Sequence, residues 1–191
     1  LEITCHLADE EVEDFRTRPL DGGAYRGQNS NVHLTEELMA AFEASGDRDY
    51  LTKAESIADL VIRRAAGSVD WRVAEHFDAE WKLDKQYYHP NEMFRPAGTT
   101  PGHWLEWARL ILQLWALGGK RIEWMPDAAK ALFAQSMALG WDNDKGGFFY
   151  TLDWDDKPAK RNKLWWPACE GAAAAHFLNE HLPSDFHEES Y

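Results

Sequence analysis

Apolar residues recur at helical spacing in five separate stretches of this chain, and glycines close most of these stretches. The predicted helices cover residues 30–45, 50–64, 101–117, 125–139 and 167–182. The stretch 101–117 is apolar on nearly every side. Helix pairs that cannot bury both of their faces need neighbouring helices, as in solenoids and in closed rings of helical hairpins. The spacing therefore predicts an all-α fold built from helical hairpins.

Three segments lack this helical pattern. Residues 1–27 carry an acidic run followed by glycines and predict a loop, and residues 69–98 contain two prolines that exclude a long helix. A loop as long as 69–98 inside a compact domain is usually functional, so it is a candidate wall of a binding site. Residues 141–154 hold an Asn-Asp-Lys-Gly-Gly turn followed by aromatic residues, which predicts a small β-hairpin between helices. No linker composition interrupts residues 1–191, so we expect a single domain.

Charge and hydropathy narrow the classes of partner. The formal net charge of −13 disfavours binding to nucleic acid and to anionic lipid surfaces. No run approaches the ~20 apolar residues that cross a bilayer, and the acidic start does not have the pattern of a signal peptide. The sequence therefore predicts a cytoplasmic protein with no membrane and no nucleic-acid partner, and it leaves a homo-oligomer open.

The rarer residue types add two expectations. Cys5 and Cys169 are too few for a disulfide framework, which favours buried free thiols. Ten tryptophans are a large number for 191 residues. Many of them belong in the core, but indole planes also cover the C–H faces of a sugar while polar groups bind its hydroxyls. The surplus favours a neutral, polyhydroxylated small-molecule ligand.

The predicted helix 101–117 carries the strongest candidate for chemistry. His103 and Glu106 lie three residues apart near its start and share one face. A carboxylate beside an imidazole orients the ring and raises its pKa, which suits a general acid or base. A satisfied structural polar pair is the alternative explanation. The apolar setting of the pair favours function, because burial makes an idle charged pair costly.

A second polar cluster stands at the start of the predicted helix 30–45. His33 follows Asn29 by four residues, and Arg26 lies in the preceding loop. These side chains could bind sugar hydroxyls, but Asn29 or Asn31 could equally serve as the N-cap of the helix. The two interpretations stay open for Asn29 and His33.

Further candidates have weaker local support. Glu75 lies next to a histidine in the 69–98 loop, and Trp166 and Glu170 open the last helix. For Trp165 and Trp166, sugar stacking suits one indole and core packing the other. Two His-x-x-Glu pairs could ligate a metal, but the expected additional ligand motifs are absent, so we predict no metal site.

The order of several motifs is similar to one known family. They are YRGQNSNVH from Tyr25, EHFD from Glu75, PGHWLEW from Pro101, GGFFY from Gly146 and WWPACE from Trp165. Together they resemble the N-acylglucosamine 2-epimerase superfamily, most of all its bacterial aldose–ketose isomerase branch, which includes mannose isomerases. The resemblance implies an (α/α)6 barrel with a central sugar pocket and with no metal or cofactor. Members are longer than this chain, which would form the central to C-terminal part of a barrel whose remainder is missing here.

The resemblance also implies roles for individual residues. The catalytic set would be His103, Glu106 and His33, with Glu106 orienting His103. The sugar-binding set would be Arg26, Asn29, Glu75, Trp166 and Glu170. In the family, the histidine that matches His103 works with a second histidine across the sugar, and the latter has no counterpart in this chain. Proton transfer would pass through a cis-enediol.

The chemistry leaves several products and classes open. A base removes the C2 proton of an open-chain aldose, and its return to C1 gives a ketose, whereas its return to the opposite face of C2 gives an epimer. An anionic sugar would need cations, and Arg95, which follows Met93 and Phe94, is the one nearby. We therefore expect a neutral sugar of the mannose/fructose type. The alternatives are a sugar 2-epimerase of the same superfamily, a non-catalytic sugar-binding fragment, and a glycoside hydrolase or lyase on the same toroid, which needs paired carboxylates.

Overall fold

Helices account for most of the described structure. The computed structural model describes residues 25–88 and 95–182, so most of the predicted first loop, Cys5 and the Met93-Phe94 stretch lie outside it. Over the described residues the helices are α1 (Asn29–Ser45), α2 (Arg48–Ala58), α3 (Pro101–Leu117), α4 (Trp124–Gln135) and α5 (Trp166–His181). The short strands are β1 (Arg26–Gly27), β2 (His76–Phe77), β3 (Thr151–Leu152) and β4 (Pro158–Lys160). The five predicted helices are thus confirmed, with small shifts at their ends.

The first hairpin shows why glycine ends a helix here. Gly46 adopts a left-handed conformation with φ of 71°, and its N–H donates to the carbonyl oxygen of Phe42 at 2.7 Å. The Asp47 carboxylate then caps α2 by accepting from the N–H of Asp49. Beyond its α-helical part, α2 continues as a π-helical segment over Asp59–Ala65 and a 3₁₀ turn over Ala66–Val69. The second helix is therefore longer than predicted.

Helix α3 lies at the centre of the packing. It begins with Pro101, whose missing N–H costs nothing in a first turn, and the glycine pair after Leu117 ends it, as predicted. Trp104 and Trp107 are fully buried, together with most of the aliphatic residues of the helix. Helices α1, α2, α4 and α5 all pack against it. Because α3 is surrounded in this way, polar side chains at its start are held in a rigid, largely dry setting.

Two short ladders connect the loops around the start of α3. Strand β1 pairs antiparallel with β2, with Arg26 opposite Phe77 and Gly27 opposite His76. Thr99, just before α3, exchanges backbone hydrogen bonds of 2.9 Å with Leu152. The long 69–98 loop is thereby tied to the residue that precedes α1 and to the entrance of α3.

The predicted hairpin at 141–154 is misplaced. Trp141 and Phe148 form one isolated bridge, and the ladder follows later, between β3 and β4. The Asp142 carboxylate accepts from the N–H groups of Asp144 and Lys145, which folds the glycine turn into a tight loop of its own. Strand β3 then uses one edge for Thr99 and the other for β4, a partner that lies outside the predicted hairpin.

The expectation of buried thiols is wrong for Cys169, which is exposed and free. The reason is helical phase, because the buried face of α5 consists of Gly171, Ala174, Ala175 and Leu178, and Cys169 points away from that face. Within residues 25–88 and 95–182, no helix is both long and apolar enough to span a bilayer. The mostly helical fold class is confirmed, whereas closure into a barrel stays a prediction.

Candidate active site

A buried ion pair joins the start of α3 to the long loop. Nδ1 of His103 lies 2.8 Å from Oε1 of Glu75. The His103 side chain is 12% exposed and that of Glu75 is 4% exposed. Nδ1 is therefore occupied, and within the described residues Nε2 of His103 has no hydrogen-bond partner. One ring nitrogen is held by the protein and the other is left for a ligand.

The carboxylate of Glu75 is itself held in place. Its Oε2 accepts from Nε2 of Gln28 at 3.2 Å, and the Gln28 Oε1 accepts from Nε1 of Trp107 at 2.9 Å. The backbone N–H of Gln28 also donates to the carbonyl oxygen of Glu75 at 3.1 Å, continuing the β1–β2 pairing. The register of two very short strands thus sets which carboxylate reaches His103.

The electrostatics follow from this pairing. Burial lowers the pKa of His103, but the charge and hydrogen bond of Glu75 outweigh it and raise the pKa above its usual value. Burial raises the pKa of Glu75, yet the His103 charge and the hydrogen bonds it accepts hold that pKa below its usual value. Burial, together with the nearby Glu75 charge, raises the pKa of Tyr150 to about 12. The pair is therefore a carboxylate beside an imidazole of increased basicity.

Glu106 does not make the hydrogen bond that its spacing predicts. His103 turns towards the long loop instead, because Glu75 approaches Nδ1 from outside the helix. Glu106 is 6% exposed and has no hydrogen-bond partner within the described residues. Burial raises the pKa of Glu106, and so do the negative charges of Glu170 and Glu36. The charges of His103 and His33 lower it but do not cancel the increase. Glu106 is thus a carboxyl group inclined to hold a proton beside His103.

An Arg-centred cluster connects α1, α3 and α5 next to these residues. Arg109 donates to Glu36 of α1 at 2.8 Å and to Glu170 of α5 at 2.7 Å. On α1, Nδ1 of His33 lies 3.3 Å from Oε2 of Glu36, and both side chains are partly exposed. The hydrogen bond to Glu36 raises the pKa of His33. Glu170 therefore serves an ion pair with Arg109, in addition to any contact with a ligand.

The same region contains the one His/Asp/Glu/Cys group of metal-binding proportions in the described part of the chain. The ligand atoms of His33, Glu36 and Glu106 all lie within 4.8 Å of one another. Carboxylate and imidazole ligands could hold a divalent cation there. Arg109 already neutralises Glu36, which weakens the attraction for a cation. The absence of a metal stays a prediction.

Trp166 forms an aromatic wall beside His103. The two ring centroids are 5.1 Å apart with a tilt of 36°. This approach depends on Gly102, because a Cβ at that position would lie 2.4 Å from Cη2 of Trp166. Trp165 is 78% exposed, so it is not the core-packed indole that was expected of this pair. Of the two neighbouring indoles, Trp166 is the one placed against the candidate base.

The remaining predicted binders lie around β1 and the start of α1. Arg26 donates to the carbonyl oxygen of Tyr25 at 3.0 Å. Asn29 is the first helical residue and therefore not the N-cap, which is Gln28 and has no side-chain capping bond. Asn31 donates from its side chain to the Gly27 carbonyl oxygen at 2.7 Å, so it does not cap the helix either.

Three further polar residues of the site were missed by the sequence reasoning. Gln28 stands inside the YRGQNSNVH motif, Glu36 is the carboxylate of one of the two His-x-x-Glu pairs, and Arg109 belongs to no motif. Arg109 lies three residues after Glu106, so helical spacing connects it to that carboxylate, but its observed partners Glu36 and Glu170 lie on other helices. The available signal was the presence of a charged residue among the apolar residues of this helix.

Comparison with known proteins supports a carbohydrate-directed family. The sequence profile of N-acylglucosamine 2-epimerase (GlcNAc 2-epimerase) matches residues 4–191. A D-mannose isomerase of Pseudomonas cannabina pv. alisalensis is 42% identical over 194 residues, covering 96% of this chain and 47% of that protein. A D-mannose isomerase of Thermobifida fusca is 40% identical over 173 residues, covering 87% and 42%.

A solved structure agrees with these relatives. The crystal structure of a D-mannose isomerase superposes with a TM-score of 0.83 at 34% identity, covering 88% of this chain and 44% of that one. The fold and the family profile define a member of a group of carbohydrate isomerases and epimerases. This chain belongs to the N-acylglucosamine 2-epimerase family. It spans about half the length of the curated relatives it matches.

Proposed function

We propose that this chain carries part of the active site of a cofactor-independent sugar isomerase, which interconverts an aldose and a ketose. The observation that carries the proposal is the buried His103–Glu75 pair, in which Glu75 occupies Nδ1 and leaves Nε2 for a substrate. A general base needs this combination of fixed orientation and raised basicity. Glu75 takes the orienting role that the sequence assigned to Glu106.

The residues suggest a division of labour. Nε2 of His103 removes the proton from C2 of the open-chain aldose, giving a cis-enediol, and delivers it to C1 to form the ketose. Glu106, whose pKa is raised by burial, shares a proton with a sugar oxygen as the enediol forms. His33, on the neighbouring helix, binds hydroxyls on the same side. Trp166 covers a C–H face of the sugar next to His103.

The charges favour a neutral substrate. Four carboxyl groups, those of Glu36, Glu75, Glu106 and Glu170, surround or adjoin His103 and Arg109. Arg109 donates to two of them and therefore has little capacity for a phosphate. Arg95 lies over the ring of Tyr25, with its guanidinium carbon 4.8 Å from the ring centroid. A mannose/fructose type of sugar fits these surroundings and agrees with the names of the relatives.

The architecture of the whole protein is part of the proposal. Four helices pack against α3 in the described residues, and the family relatives are about twice the matched length. We infer a single-domain (α/α)6 barrel in which further helical hairpins complete the ring and the sugar binds at its centre. Arg26 and Asn29, near the start of α1, would then contact the sugar from one side of the pocket.

Proton NMR in D₂O tests the proposed reaction. The protein, in the longest form its gene encodes, is incubated with mannose, fructose, glucose or cellobiose, and the 191-residue chain is assayed separately. Appearance of a ketose, with deuterium at C1 or C2 of the sugars, supports isomerisation. An epimer labelled at C2, without a ketose, would replace the proposal with a 2-epimerase. Absence of turnover with all four sugars in the longest form would contradict the substrate class.

A further inference from the structure

A circuit of three hydrogen bonds starts and ends on one face of α3, and only the helix itself joins its two ends. Trp107 lies four residues after His103 and therefore one turn further along the same face. From Trp107 the circuit passes to Gln28 at 2.9 Å, from Gln28 to Glu75 at 3.2 Å and from Glu75 back to His103 at 2.8 Å. Gln28 and Trp107 are both fully buried. No member of the circuit can rotate without leaving a buried polar group unpaired.

The donors and acceptors of the circuit run in one direction only. An indole N–H can only donate, so the carbonyl oxygen of the Gln28 amide must face Trp107. The amide NH₂ must then face Glu75, and an ionised carboxylate can only accept. This direction favours the ionised form of Glu75, because a reversed amide would present its carbonyl oxygen, which only a protonated carboxyl group could satisfy. The ionised Glu75 in turn requires a proton on Nδ1 of His103. In the neutral ring this leaves the lone pair on Nε2, the nitrogen without a partner in the described structure.

We propose that Gln28 and Trp107 are positioning residues that fix the tautomer of His103, with Trp107 setting the direction of the Gln28 amide. The inference rests on the proposed function for its consequence, since an Nδ1–H tautomer is what makes Nε2 a base. Neither residue touches the reacting atoms. Both act through Glu75, whose two oxygens receive one hydrogen bond each from the circuit.

A comparison within α3 argues against a purely structural role. Trp104 lies on the same helix and is as completely buried as Trp107, yet among the described residues its indole N–H has no hydrogen-bond partner. The fold thus accommodates an unpaired buried indole N–H three residues away. A tryptophan can therefore be buried in this core without a hydrogen bond to its indole N–H. The Trp107 N–H nevertheless donates to Gln28, the residue whose side-chain amide donates to Glu75.

The tautomer of the unmodified protein provides the first test. Two-bond ¹H–¹⁵N correlation spectra of ¹⁵N-histidine-labelled protein distinguish Nδ1–H from Nε2–H rings, and loss of one signal set in His103→Gln assigns His103. The spectrum is recorded at a pH where the ring is neutral. We expect the Nδ1–H pattern. An Nε2–H pattern, or equal amounts of both, would overturn the proposal without any variant of the circuit.

Variants then distinguish the effect of the hydrogen-bond circuit from the effect of side-chain packing. Trp107→Phe removes the N–H that orients Gln28, and Trp104→Phe is the matched control, because it removes an equally buried indole whose N–H is unpaired. Gln28→Met deletes the amide at nearly the same length. We expect Trp107→Phe and Gln28→Met to mix the His103 tautomers and to lower kcat by about tenfold or more with little change in KM. Equal spectra and equal kcat in Trp107→Phe and Trp104→Phe would contradict the inference.

The two proposals fail in distinguishable ways. The His103 spectrum does not depend on any activity, so an Nδ1–H ring that becomes mixed in Trp107→Phe supports the circuit even if no sugar turns over. Conversely, isomerase activity combined with an unaltered His103 spectrum in both circuit variants keeps the proposed function and removes the role of Gln28 and Trp107. If Trp107→Phe does not fold, Gln28→Met and the spectrum of the unmodified protein decide.

Discussion

Two histidine–carboxylate pairs lie close together in this protein, and they differ in almost every physical respect. His103 lies on a helix and Glu75 on a distant loop, and both side chains are mostly buried. Nδ1 of His103 is 2.8 Å from Oε1 of Glu75. His33 and Glu36 come from the same helix at i,i+3 spacing, are 49% and 37% exposed and lie 3.3 Å apart. Burial, rather than proximity in sequence, distinguishes the pair with a fixed geometry from the pair that water can replace.

The difference has an energetic basis. A buried charged pair whose remaining hydrogen-bonding capacity is satisfied is rigid, since loss of either partner leaves an uncompensated charge. An exposed pair is screened by water and salt and contributes less than about 1 kcal/mol. The protein therefore has one imidazole with a set orientation and a neighbouring imidazole that is free to adjust to a ligand.

The largest expected effect comes from removing the buried imidazole. His103→Asn should lower kcat/KM for the sugar by ~100-fold or more, because the proposed base is lost. Circular dichroism should show unchanged helix content. His176→Asn is the control, since His176 is exposed on α5 and pairs with Glu180. Retention of more than about a tenth of the activity in His103→Asn would remove it as the base.

Neutralising its partner should shift the pH dependence. The Glu75 charge raises the pKa of His103, so the base becomes active only as the pH rises through that raised pKa. Glu75→Gln removes the charge, and the acidic limb of the kcat/KM profile should move to lower pH. Glu106→Gln replaces a carboxyl group that makes no hydrogen bond to His103 and whose raised pKa favours its neutral form, so this variant should shift the limb less. A shift of equal size in both variants would show that Glu75 has no special role.

Packing beside His103 can be disturbed without changing a charge. A Cβ added in Gly102→Ala would lie 2.4 Å from Cη2 of Trp166 and 2.9 Å from Cγ of Pro167, so the indole must move. We expect the free energy of unfolding to fall by about 1–3 kcal/mol and KM to rise. Gly67→Ala is the matched control, because the nearest atom there is 3.7 Å away. Comparable losses in urea denaturation for both variants would contradict the steric argument.

The exposed pair should give the smallest effect. The hydrogen bond to Glu36 raises the pKa of His33 above 6.5, so its contribution to stability is complete below that value and is lost as the pH rises through the folded-state pKa. His33→Gln should therefore cost less than about 1 kcal/mol at pH 6 and even less at pH 9. Urea denaturation at both pH values, with and without salt, measures this difference. A cost that grows with pH would show that the pair is not the source.

Local sequence signals were sufficient for the helices and for placing His103 near the start of α3. Apolar periodicity, Pro101 and the glycines after each stretch define helices through interactions within a few residues, so they can be read without tertiary contacts. The same local reasoning misplaced the β-hairpin, because Thr99 and β4, the two partners of β3, both lie outside residues 141–154. It also placed Cys169 in the core, where the helical phase of α5 puts it on the surface.

Sequence periodicity was enough to predict a helical chain with an imidazole near the start of its most apolar helix. The carboxylate that holds this imidazole depends on tertiary contacts, since local spacing favoured Glu106 and the observed partner is Glu75. The reason is that the β1–β2 register and the Gln28 amide bring together groups from α1, the long loop and α3. Helix formation is governed by neighbours in sequence, whereas the geometry of a buried polar site is governed by neighbours in space.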